Sequence, residues 1–323
     1  MLRNMLRSVV SRRSVAAPDM LRNVLRRSAA SPLTGARRMM HAAETPLGKS
    51  STVHAALLNG ADIFTLQNGD AGPAVLCMPG AMGTAETDFA PQLTGLSDAM
   101  QVVSYDPRGY GKSRTRSCPV RDFPSGRVPH KKDFYQPDFY QRDADDAASL
   151  MNTLGHKKYT VCGWSDGAIS AVMLAAANPT IVERLVIFGG NAYFTQEDID
   201  AFEATRDIEA NWSQRMKDTH RPVYGDDLQP MWDGAVDAWA AIFAERGGDV
   251  CQTQAQAIKC PTLVLHGAKD PMCLSEHPEW FVDNIPDARL HIFPDGKHNI
   301  HIKFADEFNA LVRAFVLNNE RPD

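Results

Sequence analysis

From about residue 50 onward, short and nearly continuous apolar runs alternate with stretches whose apolar residues recur at helical spacing. The runs AVLCMPG (74–80), MQVVSYD (100–106), KYTVCGW (158–164), RLVIFGG (184–190), PTLVLHG (261–267) and RLHIFP (289–294) predict strands. Several are apolar at almost every position, as parallel strands are when helices cover both faces. Helices are expected at about 86–98, 138–154, 166–177 and 303–318, the second of them stopping at Gly155. TVHAALL and DIFTL flank Asn59-Gly60, a hairpin signal. The alternation predicts an α/β fold, a mostly parallel central sheet with helices on both faces.

Two stretches break this rhythm. Residues 114–137 are rich in Pro, Arg, Lys and Asp and read as a surface loop or insertion. Residues 192–257 carry helical patterns, with Trp212, Trp232 and Trp239, but no clear strand. Lying between two predicted strands, this block is expected to form a helical cap over the carboxyl edge of the sheet. The core is then 45–191 together with 258–323.

The first 40 residues differ from the rest. They hold nine arginines, no lysine and one acid, Asp19, and MLRNMLRSVV nearly repeats as MLRNVLRRSA. An Arg- and Ser-rich, acid-poor amphipathic segment is the pattern of a mitochondrial transit peptide, with ARRMMHAAE (36–44) as the processing region and the matrix as destination. The plainer alternative is a disordered basic tail. Nine of the 34 basic residues and one of the 39 acidic ones fall in this segment, which leaves 25 and 38, a net −13, for residues 41–323. So acidic a body argues against nucleic acid as a partner. No apolar run approaches the roughly 18–20 residues of a membrane span. Six scattered cysteines, at 77, 118, 162, 251, 260 and 273, form no CxxC pair. They read as reduced thiols with no zinc site.

Candidate chemistry centres on Gly163-Trp164-Ser165-Asp166-Gly167, a G-x-S-x-G pattern. The pattern alone is weak, but here it joins a predicted strand to a predicted helix, as a nucleophile elbow does. A serine nucleophile needs a base, and the base needs an orienting acid. Asp270 follows the strand PTLVLHG and His298 follows RLHIFP, in the order Ser, Asp, His. Rival groups fit less well. His291 lies inside a strand, His301 within the last predicted helix, His266 ahead of the acid, and Asp295 in a turn with Gly296. The oxyanion that forms on attack needs two backbone donors, for which the N–H groups of Asp166 and of Ala81, in CMPGAMG, are the candidates. Gly80 and Gly83 let that loop approach substrate. Such a triad needs no metal and no cofactor.

MPGAMGTAETDF, YDPRGYGKS, GWSDG, GGNAYFTQED, HGAKDP and GKHNIHIKFADEFN together resemble the valacyclovir hydrolase, or biphenyl hydrolase-like, family of the α/β-hydrolase superfamily. The resemblance runs from about residue 52 to 317. It implies an α-amino-acid ester hydrolase, often mitochondrial, acting on a small-molecule substrate through Ser165, Asp270 and His298. It also implies that the Asp166 carboxylate binds the substrate's α-ammonium group, with Gly80 and Trp164 beside the substrate. Two departures stand out. The family's elbow has a second glycine where this chain has Ala168, and the loop at 118–132 is longer than in relatives.

Read from the residues alone, Asp166 has two explanations. A carboxylate in the first turn of a helix is favoured by the helix dipole. Aimed at the pocket instead, it would oppose the oxyanion unless the substrate brought a cation. Other substrates for the same triad are amides, thioesters, the thiolactone of homocysteine and general carboxylic esters, and a low-turnover ligand receptor is the alternative outside catalysis. Haloalkane dehalogenases and epoxide hydrolases share the fold but place aspartate where Ser165 stands. A monomer is the expected oligomeric state.

Overall fold

A computed structural model describes residues 51–56, 61–113, 135–136 and 138–318. The transit-peptide segment, Asn59-Gly60, Cys118 and nearly all of the 114–137 loop lie outside the described residues. Among the described residues the sheet has eight strands: β1 (Ser51–Ala56), β2 (Asp62–Asn68), β3 (Ala74–Met78), β4 (Gln101–Tyr105), β5 (Tyr159–Trp164), β6 (Val182–Phe188), β7 (Thr262–Gly267) and β8 (Ala288–Phe293). Their order is β1-β2-β4-β3-β5-β6-β7-β8. β1 and β2 form an antiparallel hairpin, β2 runs antiparallel to β4, and every later pairing is parallel.

The continuous apolar runs are explained by the pleat. Successive side chains point to opposite faces, and here both faces are buried. Leu76, Val161, Leu185 and Ile187 join one core cluster, while Val75, Cys77, Cys162, Val186 and Phe188 join the other. Helices α1 (Ala85–Gly95) and α11 (Ala305–Asn318) cover the second cluster. Helices α2 (Phe139–Thr153) and α3 (Asp166–Ala177) pack against the first. Residues 192–257, the stretch expected to form the cap, contain five α-helices: α4 (Gln196–Glu203), α5 (Ile208–Asn211), α6 (Gln214–Tyr224), α7 (Leu228–Arg246) and α8 (Gln252–Gln256). The sole strand-like feature there, among the described residues, is one bridge between Tyr193 and Asp249.

One helix was not anticipated, and one local expectation needs correction. α9 (Glu276–Asn284) had no clear signature, because its buried residues are only His277, Pro278 and Phe281. The last helix is preceded by a separate turn, α10 (Ile300–Lys303), which holds His301 apart from α11. Among the described residues no helix is long and apolar enough to cross a membrane.

From β3 the chain passes outward to β4 and then returns across β3 to β5. The carboxyl ends of β3 and β5 therefore flank the point where strand order reverses, the place where open α/β sheets form their crevice. The loop after β3 carries Gly80 to Gly83, and the turn after β5 carries Ser165.

Candidate active site

Ser165 sits between the end of β5 and the start of α3 with φ 55° and ψ −125°. This left-handed backbone is unusual for a residue with a Cβ and costs on the order of 1–3 kcal/mol. It persists because the turn leaves no alternative. A Cβ on Gly163 would lie 2.4 Å from the Gly167 carbonyl oxygen, and one on Gly167 would lie 2.1 Å from the Met78 carbonyl oxygen. The elbow glycines are thus required by close backbone approach.

The structure brings Ser165, His298 and Asp270 into one hydrogen-bonded chain. Ser165 Oγ lies 3.1 Å from His298 Nε2, and His298 Nδ1 lies 2.8 Å from Asp270 Oδ2. Asp270 Oδ1 also accepts from the backbone N–H groups of Met272 and Cys273. Burial alone would push the Asp270 carboxyl up, but the His298 charge, its hydrogen bond and the two amides outweigh this and hold it below the usual range. Burial likewise works against a charged His298, yet Asp270, Asp166 and Asp88 raise its pKa above the ordinary histidine value. In the neutral imidazole, Nδ1–H donates to Asp270, which leaves Nε2 as acceptor for the serine hydroxyl.

Among the described residues, none of the rival groups hydrogen-bonds to Ser165. His301 is buried among Phe89, Trp164, Phe188 and Phe308, and burial pushes its pKa down to about 3. His291 lies beside Glu307, 3.7 Å away, and Asp295 is an exposed partner of Lys269. His266 is buried at the end of β7, its Nδ1 without a hydrogen-bond partner. Trp164 turns inward, donating its indole N–H to the His298 backbone carbonyl at 2.9 Å. Its contacts support the histidine loop.

The loop after β3 packs directly on the elbow: a Cβ on Gly80 would lie 3.1 Å from Ser165 Cβ. Two groups that the sequence did not mark, Asp88 and Tyr224, hold this loop. Asp88, buried on α1, accepts the Gly80 N–H through Oδ2 at 3.0 Å. Burial raises its carboxyl to about 7, against the opposing hydrogen bonds of Thr87 and Gly80. Gly83 has no room for a side chain, because a Cβ there would lie 1.7 Å from Asp88 Oδ2. From the cap, Tyr224 Oη donates to the Met82 carbonyl at 2.6 Å. Met82 itself has φ 56°. The N–H groups of Ala81 and Asp166 donate to no described residue.

Asp166 opens α3. Its Oδ1 accepts from Tyr140 Oη at 2.7 Å, and its Oδ2 is buried without a hydrogen-bond partner. Burial raises this carboxyl to about 7. Tyr140 acts in the opposite direction, as do His298 and the Trp239 indole, and neighbouring Asp143 adds to the rise. Two clusters could offer ligands to a metal ion, His266–Asp270–Cys273 and Asp198–Glu276–His277. In the first, Asp270 is already engaged by His298 and two amides. In the second, Asp198 already accepts from Thr195 and Asn191. The five described cysteines are free and buried.

A strained serine at a strand–helix turn, in reach of a histidine backed by a carboxylate, on a doubly covered parallel sheet, defines the α/β-hydrolase class of serine hydrolases. The Hydrolase_4 family, described as serine aminopeptidase, S33, matches residues 87–303. The serine hydrolase BPHL of Homo sapiens is 39% identical over 271 residues, covering 83% of this chain and 88% of that protein. Its Mus musculus counterpart is 38% identical over the same shares. The enol-lactonase of Burkholderia xenovorans LB400 superposes with a TM-score of 0.61 at 22% identity, covering 81% of this chain and 99% of its own, a likeness of fold. The chain belongs to the Hydrolase_4 family and, within it, to the BPHL-type serine hydrolases known as biphenyl hydrolase-like or valacyclovir hydrolases.

Proposed function

We propose that this serine hydrolase cleaves esters of α-amino acids, with Ser165 as nucleophile, His298 as general base and acid, and Asp270 as its orienting carboxylate. The observation that carries the substrate class is the Asp166 carboxylate, which adjoins Ser165 and has one buried oxygen without a partner. An anion there opposes the oxyanion formed on attack. A substrate ammonium cancels it: two unit charges about 4 Å apart at an effective dielectric of about 20 attract by about 4 kcal/mol before desolvation.

The reaction runs in two halves. Ser165 Oγ bonds to the ester carbonyl carbon while its proton passes to His298 Nε2. The N–H groups of Ala81 and Asp166 receive the oxyanion. Collapse breaks the ester bond, and His298 returns the proton to the leaving alcohol. Water then attacks the acyl-enzyme by the same route and releases the amino acid and Ser165. The arginine-rich first 40 residues support delivery to the mitochondrial matrix.

The test compares L-valine benzyl ester with its N-acetylated counterpart on the full chain and on Asp166→Ala. The parent is expected to prefer the free amine strongly, and the variant to lose most of that preference. Equal rates on both esters in the parent would leave a general esterase.

The pH dependence follows from the same two groups. Imidazolium cannot accept the Ser165 proton, so kcat/KM for the N-acetylated ester is expected to rise with pH through a midpoint above the ordinary histidine value of 6.5. The free-amine ester should add a second effect. As pH falls through about 7, Asp166 is protonated, its attraction for ammonium is lost, and KM climbs. Identical profiles for the two esters would sink the Asp166 assignment.

A further inference from the structure

We propose that Tyr140 is the positioning residue for amine selectivity: its phenol, held by the Trp239 indole, fixes the Asp166 carboxylate so that one oxygen stays unpaired for a substrate ammonium. The proposal rests on the reading of Asp166 given above and extends it to two residues remote from Ser165 in sequence.

Direction in this chain of bonds is fixed by chemistry. Trp239 Nε1 lies 2.9 Å from Tyr140 Oη, and an indole N–H can only donate. Tyr140 Oη therefore accepts from Trp239, and its single proton is available to Asp166 Oδ1, 2.7 Å away. Tyr140 is 1% exposed and Trp239 3% exposed, so water does not compete for these bonds. The arrangement leaves Asp166 half satisfied, with Oδ1 bonded and Oδ2 buried without a partner.

That state is not one an aspartate chooses alone. In the first turn of a helix a short carboxylate tends to fold back onto the unpaired N–H groups of that turn. Asp166 makes no such bond: α3 has no side-chain cap, and the partner of its carboxylate comes from α2. Tyr140 thus draws the carboxylate off its own helix end. The cleft beside it is lined by Met78, Pro79, Gly80, Tyr110, Asp143 and Asp166. The second acid there, Asp143, accepts from Arg142 at 3.0 Å. Asp166 Oδ2 is the buried, unpaired carboxylate oxygen of this set that adjoins Ser165, which suits a small cation with N–H donors.

The experiment measures kcat and KM for L-valine benzyl ester and N-acetyl-L-valine benzyl ester on the full chain, Tyr140→Phe, Trp239→Phe and Asp166→Asn. Loss of a hydrogen bond to a charged group is expected to lower the free-amine to N-acetyl ratio of kcat/KM at least about tenfold in Tyr140→Phe. The loss should lie in KM for the free amine. Trp239→Phe should shift the ratio the same way and by less, which carries the test if Tyr140→Phe folds poorly. If Asp166→Asn collapses the ratio while Tyr140→Phe and Trp239→Phe keep the parental value, the positioning role is overturned and the Asp166 reading stands. If Asp166→Asn itself keeps the ratio, both are overturned.

Discussion

Ser165→Ala is expected to lower kcat by about 10⁴–10⁶-fold, while the free-amine ester still binds. The substitution removes only the hydroxyl. The Cβ that the left-handed backbone must accommodate is already present in serine, so the strained turn is unchanged. His298 keeps its bond to Asp270, and the Asp166 carboxylate keeps its Tyr140 partner. Ligand binding by the free-amine ester, read as thermal stabilisation, should therefore persist in a protein with no acyl-enzyme burst. A variant that retained a burst of alcohol release would remove Ser165 as nucleophile.

Asp270→Asn should cost about 10⁴-fold in kcat, out of proportion to the loss of one charge. Asp270 Oδ1 accepts from two backbone N–H groups, of Met272 and Cys273. An asparagine must present its carbonyl oxygen to them, which turns its NH₂ toward His298 Nδ1. A donor facing Nδ1 selects the Nε2–H tautomer, so the imidazole points a proton at Ser165 instead of a lone pair. The variant should also shift the acid limb of the pH profile downward. Asp270 supplies the largest of the contributions that raise the His298 pKa, and removing its charge disfavours imidazolium. A variant with parental kcat and an unmoved limb would contradict this role.

What the sequence disclosed, and what it hid, follows from the range of each interaction. The strands β3 to β7 were legible because the period-2 pleat, buried largely on both sides, writes itself as apolar runs such as AVLCM, whereas β8, half-exposed at the sheet edge, showed only as the mixed run ARLHIF. Ser165 was legible because the elbow needs glycine at 163 and 167 for close backbone approach. Asp270 and His298 could be placed because strand ends collect at one edge of a parallel sheet. Asp88, Tyr140, Trp239 and Tyr224 carry no such mark. An aspartate in a first helical turn looks like a cap, and a tyrosine in DFYQRD looks like ordinary core. Their roles arise from contacts with residues 8, 26, 99 and 142 positions away. The sequence left open whether Asp166 faces its own helix or the pocket, since that depends on the Tyr140 hydroxyl from another helix.

The cap reaches the chemistry through two hydroxyls and an indole: Tyr224 grips the carbonyl of Met82, and Trp239 grips Tyr140. It is therefore not an interchangeable module. A cap transplanted from a distant relative would alter more than pocket shape, because the loop after β3 and, through Tyr140, the Asp166 carboxylate are both tethered to it. A library that fixes positions 224 and 239 while varying the rest of α6 and α7 should yield active members far more often than one that frees them.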